Sequence, residues 1–544
     1  MLDSACALRA LSVLLASATA LSAQVVGTIA QGNASNTVTS MSSWRRSVVL
    51  TATGTLWALV RDNANGNQLY LTSSVDGGAT WTGRFDVPTT DDGAGAIAAD
   101  RVDCGILHVA WNALDGGSWQ DVYHAEFDVA AGFVGTPTKL TNATGSNDQY
   151  FADDVATTPD GSVVVAMHTH RAPASGSWTS GWSAGLFHRR PGQSTFDPVQ
   201  QVNTDSFGIQ IDLQPVGNVV HAAFRTNTGL YGIRYRAYDT TIPGFTTGTD
   251  IQVATGTSNS SQIAATANGD LYVLHSSGGT SAGSGELRMA WLPAGGGGGG
   301  WTSQPVTSDP DLLRGNVSHL HFSLATDGTD AAYAIYSKVT GEQHRNLYFR
   351  VFQGGQAVTT ETPVATSNDP DRYRIIAGVR NPSTTGAPMA IVESRAAVHP
   401  GNLLEFLRIG AAGRAETYGS GCRGNLANEP RLAVGAQPLA GTTLPLEWSD
   451  APANAPAALL FGAACRRPAL DLTAFGFTGC RLWVDAPGSA GLVMDGQGRA
   501  TVPLAIPANP SYAGLPFQLQ SIVLAAGANA GGAVLTAPLA VVVD

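Results

Sequence analysis

Charge is scarce in this chain of 544 residues. Asp, Glu, Lys and Arg together make up 13%, the balance is −11, and the only lysines are Lys139 and Lys338. That excludes the basic footprint by which proteins hold nucleic acid or an anionic membrane surface. Long apolar runs are also missing. The clearest, Ala10 to Ala20, is too short to cross a bilayer, so membrane insertion is excluded on hydropathy. Apolar residues hardly ever recur at i, i+3, i+4 and i+7, which argues against helices. Cysteine is sparse: Cys6, Cys104, Cys422, Cys465 and Cys480.

Gly, Ser and Thr are abundant instead, interleaved with short Val/Leu/Tyr runs, a pattern that reads as all-β. With 43% hydrophobic residues the chain can bury a large core, and its length suits two domains. At the N-terminus, Arg9 precedes the short apolar run, and Leu21-Ser22-Ala23-Gln24 suits signal-peptidase cleavage after Ala23. Residues 1–23 are therefore expected to be a signal peptide, and the remaining chain to be exported to the cell surface or medium. Four cysteines then remain where disulfides are permitted, and four allow three pairings.

From Ser47 onward, tight turns recur at roughly 50-residue spacing, the size of a four-stranded propeller blade. They are Thr53-Gly54, Asp103-Cys104-Gly105, Asp160-Gly161, Val216-Gly217-Asn218, Asn268-Gly269, Asp327-Gly328 and Thr385-Gly386. Seven turns imply about seven blades. The last unit shows three clear strands, and Val25 to Ala30 is the natural donor of its outer one, since joining first and last blades resists opening of a ring. Sorted by this scheme, Arg, Asp, His and Trp concentrate on the face of the second-to-third strand loops. Aromatics beside charged groups suit a polar, ring-shaped ligand such as a sugar.

The segment Ser74-Val75-Asp76-Gly77-Gly78-Ala79-Thr80-Trp81 has the spacing S-x-D-x-G-x-T-W and resembles the Asp box of sialidases and related β-propellers. In those families the box is a structural turn on the outer part of a blade, so Ser74, Asp76, Gly78, Thr80 and Trp81 are expected to shape the fold. Sialidases favour six blades, which leaves the count at six or seven, with seven favoured by the turns. The resemblance extends to Arg45-Arg46-Ser47-Val48-Val49, followed by Arg61, which is similar in order and spacing to the family's opening arginine segment without its proline. The stretch Gly217 to Arg225 is similar to the segment that delivers another arginine of the carboxylate-binding triad. What the resemblance implies is a glycoside hydrolase site with Arg45, Arg46, Arg61, Arg225 and Arg372 binding substrate, Asp62 as proton donor and Tyr373 as nucleophile. Tyr333 and Tyr336 are conceivable alternatives to Tyr373. The family's glutamate upstream of the second arginine is absent from Phe207 to Asp212, although Asp212 stands nearby. That departure keeps a non-catalytic interaction propeller as the competing reading.

His168-Thr169-His170 and His319-Leu320-His321 have the i, i+2 spacing for a metal, with Asp153 or Asp154 as a third ligand, but such pairs commonly serve as loop or strand polar groups. No metal and no cofactor is expected. From about Ala415 the texture turns to Ala, Pro and Leu, and residues 415–544 read as a small β-sandwich after a propeller spanning 24–414. This end resembles an uncharacterised module of exported bacterial proteins that begins Y-G-x-G-C, here Tyr418 to Cys422, and carries a later G-C-x-L, here Gly479 to Leu482. That resemblance implies a Cys422–Cys480 pairing and no activity, and the module is expected to be dispensable for whatever the propeller does.

Overall fold

The structure is a computed structural model that describes residues 23–543 apart from 32–37, 41–45, 63–67, 89–93, 115–119, 144–148, 170–182, 203–207, 227–231, 243, 246, 256–260, 278–285, 297–299, 308–321, 327–329, 341–343, 366–372, 379–383, 387–388, 396–401, 411–412, 510–511 and 513–514. The described residues are all-β save for one short 3-10 turn, Thr473–Phe475.

Seven antiparallel sheets follow one another along residues 23–409, each built around four strand positions counted outward from an inner strand. In sheet 3 these are Tyr150–Thr157, Val163–Thr169, Ser183–Arg189 and Gln200–Gln201. The inner strands of sheets 2 and 4 to 7 are Ala94–Ala99, Gly208–Val216, Ser261–Ala265, Phe322–Thr326 and Tyr373–Gly378. Sheet 1 has a divided inner strand, Val38–Ser40 and Val48–Leu50, both paired with Leu56–Asp62. Each inner strand lies against the next, and Tyr373–Gly378 returns to Val38–Ser40, which gives a propeller-like arrangement. The outer strand of sheet 7 is Ala23–Gln31, paired with Asn402–Ile409.

Local chemistry accounts for the repeat. The first turns of sheets 1, 3 and 5 begin with Thr51, Thr158 and Thr266, whose hydroxyls lie within hydrogen-bond reach of the side chain two residues on, at Thr53, Asp160 and Asn268. Gly54, Gly161 and Gly269 follow with φ of 81°, 92° and 88°, a region in which other residues are strained. Asp327-Gly328 lies outside the described residues. Thr385-Gly386 is not a turn of this kind: Thr384–Gly386 is a short strand paired with Arg414–Thr417. It leaves sheet 7 because Arg414–Thr417 offers it a backbone partner in the C-terminal sheets.

The Ser74–Trp81 turn is closed by its own side chains. Asp76 Oδ1 accepts from Thr80 N at 2.9 Å and from Ser74 Oγ at 2.8 Å, while Gly78 N donates to Ser74 Oγ at 2.8 Å. Trp81 Nε1 donates to Gly78 O, and its ring meets Phe406 edge-on at 5.5 Å. A Cβ on Gly78 would stand 2.1 Å from Phe406, and one on Gly27 2.4 Å from Gly78 O. The turn therefore packs on both outer strands of sheet 7, at the seam where the chain's beginning meets its end.

At the C-terminus a seven-stranded sheet and the three-stranded sheet Arg431–Val434, Thr443–Ser449 and Ala500–Ala505 share one apolar core that includes Leu446, Trp448, Leu519 and Val541. Disulfides join Cys422 to Cys480 within this part and Cys104 to Cys465 across to sheet 2. Arg467 bonds Asp103 at 2.6 Å and Asp128 at 3.0 Å, Arg101 pairs with Glu416 at 3.1 Å, Gln518 Nε2 donates to Ala52 O, and Arg414 donates to Gly54 O. The C-terminal part thus sits on the first-turn face of the propeller. Nothing in its composition announces this attachment, because each bond is made with a partner more than 300 residues away.

Candidate functional site

The opposite face carries the second-to-third strand loops, and there the inner strands depart from regular pairing near their starts. In sheet 3, Ala152 pairs Met167 and Asp154 pairs Ala166, so Asp153 is an extra residue. In sheet 4, Ile209 pairs Arg225 and Ile211 pairs Phe224, so Gln210 is extra. In sheet 7 the extra residue is Arg374, and in sheet 1 the inner strand is divided between Val38–Ser40 and Val48–Leu50. Bulges of this kind re-aim side chains and recur beside functional sites. Gln210 has φ of 65°, and its Oε1 is buried without a partner among the described residues. An αL conformation is strained for a residue with a Cβ.

The deeper polar residues hold the ring together. Asp154, wholly buried, accepts from Leu213 N of the next sheet at 2.9 Å; Asp212 accepts from Ile263 N at 2.6 Å; and Gln262 accepts from Leu324 N at 2.7 Å. Three consecutive junctions are bridged in the same way, each satisfying a backbone N–H that would otherwise be buried unpaired. One sequence signal marks them: Asp154, Asp212 and Gln262 are polar residues of the inner strand, each four residues before the turn.

Arg46 belongs to this layer. It is 7% exposed, its Nη2 donates to Leu213 O at 2.5 Å, and its Nε lies 3.6 Å from Asp154 Oδ1. Its own carbonyl accepts from Ile97 N of sheet 2. A residue of sheet 1 thus binds sheets 2, 3 and 4, and the side chain that the sialidase likeness offers as a substrate grip is engaged as an internal brace.

Asp62 is equally committed. Arg84 Nη1, from the outer strand Thr82–Asp86, bonds it at 2.8 Å and stacks over Tyr70, 4.4 Å from the ring centroid. Arg61 and Arg225 are half-buried at the ends of second strands in sheets 1 and 4. Tyr373 begins the inner strand of sheet 7, while Arg45, Arg372 and the side chain of Tyr373 lie outside the described residues. The structure does not bring Arg46 and Asp62 to one place: the first faces the centre of the ring and the second the outer half of sheet 1.

Tyr336 has a carboxylate partner. Its hydroxyl donates to Glu361 Oε2 at 2.7 Å, and Lys338 bonds the same carboxylate. Burial, then the bond to Glu361, holds the phenol well above its ordinary pKa, the reverse of an activated nucleophile. Tyr333 is buried against Phe349.

His168 Nδ1 bonds Asp153 at 2.7 Å, with its ring stacked on Phe151, and Asp153 also accepts from Ile211 N. His170, His319 and His321 lie outside the described residues, among which no group of three His, Cys, Asp or Glu residues could hold a metal ion. A second buried array, Asp100–His108–His124, has spacings of 2.7 and 3.1 Å between sheets 2 and 3. Burial first, then the neighbouring His108 and Arg189, hold His124 well below its ordinary pKa.

No protein-family model matches the chain, and no curated protein matches it. Among solved structures, a PL25 ulvan lyase bound to -[GlcA(1-4)Rha3S]- is similar over 71% of this chain and 96% of its own, at 10% identity and a TM-score of 0.45. The α-L-arabinanase of Penicillium chrysogenum, complexed with arabinobiose, is similar over 62% of this chain and 100% of its own, at 14% identity and 0.42. For the GH93 α-L-arabinofuranosidase of Fusarium graminearum the shares are 60% and 97%, at 12% identity and 0.35. Likenesses at this level assign neither a reaction nor a site to this chain.

Proposed function

We propose that this chain is an exported, seven-bladed β-propeller that recognises carbohydrate at the axial mouth on the face away from its C-terminal sheets. In this reading residues 1–23 are removed on export, the propeller spans 24–414, and 415–544 form a separate sandwich. The observation that carries the site is the set of inner-strand irregularities near this mouth: an extra residue at Asp153, Gln210 and Arg374, and the division of sheet 1's inner strand into Val38–Ser40 and Val48–Leu50. A sugar needs donors and acceptors at fixed angles, and a bulge supplies them without giving up the sheet. Arg61 and Arg225, on the strands beside this mouth, make an acidic sugar such as a sialoside the favoured ligand.

The test is binding of the full chain to an array of acidic and neutral glycans, alongside turnover of a fluorogenic sialoside. Arg225→Ala and Gln210→Gly are each expected to weaken glycan binding at least tenfold. Gln210→Gly should keep or raise the melting temperature, because glycine accepts the αL conformation that costs other residues about 1–2 kcal/mol. Turnover would extend the reading to hydrolysis. A second reading, a rigid interaction platform, is favoured by the commitment of Arg46, Asp154 and Asp212 to the ring itself. Absence of any glycan ligand would decide for the platform.

A further inference from the structure

The C-terminal sheets do not rest evenly on the propeller. They grip sheets 7, 1 and 2, which are neighbours around the ring although they come from its last and first stretches of chain. In sheet 7, Thr384–Gly386 lies between the inner strand and the second strand, Met389–Arg395, and pairs with Arg414–Thr417 as the end strand of the seven-stranded sheet. In sheet 1 the first turn is held by two side chains: Arg414 donates to Gly54 O, and Gln518 Nε2 donates to Ala52 O at 3.2 Å. The approach is close, since a Cβ on Gly54 would stand 2.8 Å from Val542 Cγ2. In sheet 2 the turn between Asp100 and Ile106 is held three times over. Arg101 Nη1 donates to Glu416 Oε1 at 3.1 Å, Arg467 Nε donates to Asp103 Oδ1 at 2.6 Å, and Cys104 is joined to Cys465.

These grips share an apolar core. Ala52 of sheet 1 and Cys104 of sheet 2 are buried in one cluster with Tyr418, Trp483 and Ala540, and Tyr418 meets Trp483 edge-on at 6.3 Å. The bonds to Gly54 O and Ala52 O are themselves buried, so breaking them leaves polar groups without water to replace the partner. Over sheets 3, 4 and 5 the two parts stand apart. Hollows of about 590 and 380 Å³ separate Pro159, Gly217 and Thr266, in the first turns of those sheets, from Glu429, Arg431 and Leu432.

The uneven grip coincides with the seam of the ring. Ala23–Gln31 and Asn402–Ile409, from the two ends of the propeller's chain, are joined there by a ladder of hydrogen bonds and by no turn. Parting that ladder would carry Thr384–Gly386 away from the first turns of sheets 1 and 2. The C-terminal sheets hold all three, so they span the seam a second time.

We propose that the C-terminal part is a clasp on the ring, tying sheet 7 to sheets 1 and 2 so that the seam and the clasp open as one unit. In this reading it is not dispensable to the propeller, whatever the axial mouth binds. The test is native-state hydrogen exchange of the full-length chain, read by mass spectrometry in rising urea without reductant. Ala23–Gln31, Asn402–Ile409 and Arg414–Thr417 should open together, at a lower free energy than Gly208–Val216 and Ser261–Ala265 of sheets 4 and 5. A triple variant, Cys104→Ser, Cys465→Ser and Arg467→Ala, cuts the hold on sheet 2. It should speed exchange of Ala23–Gln31 and Asn402–Ile409 at least tenfold, while Thr443–Ser449 within the C-terminal part and sheets 4 and 5 keep their protection. Arg236→Ala, which removes an ion pair with Asp250 inside sheet 4, should leave the seam as it is. In the unaltered chain, seam strands that open independently of Arg414–Thr417 overturn the proposal. So does seam protection unmoved in the triple variant, or loosening spread equally over all seven sheets, or equal loosening of the seam by Arg236→Ala, since the C-terminal part would then be no clasp but at most a general stabiliser.

Discussion

Replacing Arg46 with alanine separates an internal brace from a ligand grip. The guanidinium lies 3.6 Å from a carboxylate that is wholly buried, at Asp154. At an effective dielectric near 20, two unit charges at that distance attract by about 4–5 kcal/mol. Removing one member of a buried pair costs about 3–5 kcal/mol, because the other is left uncompensated. Asp154 keeps two backbone donors, Val155 N and Leu213 N, each at 2.9 Å, which offset part of that loss. The bond from Arg46 to Leu213 O disappears with the side chain, and bonds from charged donors contribute about 1.5–3 kcal/mol. The expected destabilisation for Arg46→Ala is thus about 3–4 kcal/mol. It can be read as a shift in the guanidinium midpoint, followed by tryptophan fluorescence with disulfides intact. Arg46→Met combined with Asp154→Asn should recover much of it, since no isolated charge remains. A loss under about 1 kcal/mol would refute the brace, being less than one ordinary buried hydrogen bond or ion pair is worth. If glycan binding fell at the same time, Arg46 would belong to the ligand.

Two further outcomes follow from burial and from the cross-link. His275 is fully buried, and desolvation, as the largest cause, pushes its pKa down to about 4. Its folded pKa is below the unfolded value near 6.5, so the stability it contributes is present above pH 6.5 and is lost as pH falls towards 4, up to roughly 3 kcal/mol. His275→Leu should flatten the dependence of the urea midpoint between pH 7 and 4.5, and an unchanged slope would show that the ring is not held neutral. Cys104→Ser with Cys465→Ser opens a link spanning 361 residues and should cost about 3–5 kcal/mol, read by calorimetry under non-reducing conditions. Equal melting of the variant and the parent would mean that the polar contacts alone hold the two parts together.

The sheets were legible where the chain makes its own turns. Thr51 to Thr55, Thr158 to Ser162 and Thr266 to Asp270 close through side chains two to four residues apart, so spacing alone exposes the repeat. The candidate site was less legible for the opposite reason. Arg45-Arg46 looks like an exposed basic pair in a polar loop, and Arg46 becomes internal only because Leu213, 167 residues on, presents a carbonyl to it. Asp62 reads as a free carboxylate until sheet pairing brings Arg84 beside it. Thr385-Gly386 has turn composition, yet Arg414–Thr417 gives those residues a backbone partner and makes them a strand. Bulges leave no compositional trace either, since Asp153 and Gln210 are ordinary polar residues near strand starts.

The pairing of Ala23–Gln31 with Asn402–Ile409 imposes an order on assembly. Among the described strands of the seven sheets, this one waits longest for its partner, which stands nearly 400 residues downstream. Until then its edge is unsatisfied, and Gly27 has no Ser74–Trp81 turn to close upon it. Six sheets can form from neighbouring segments while the seventh waits, so completion of the ring is a long-range event, slow by the topology of its contacts. During that interval any strand of suitable pattern competes for Asn402–Ile409, and a neighbouring molecule's N-terminus is the best match available. Exchange of this strand between chains is therefore the characteristic misassembly of this fold at high concentration.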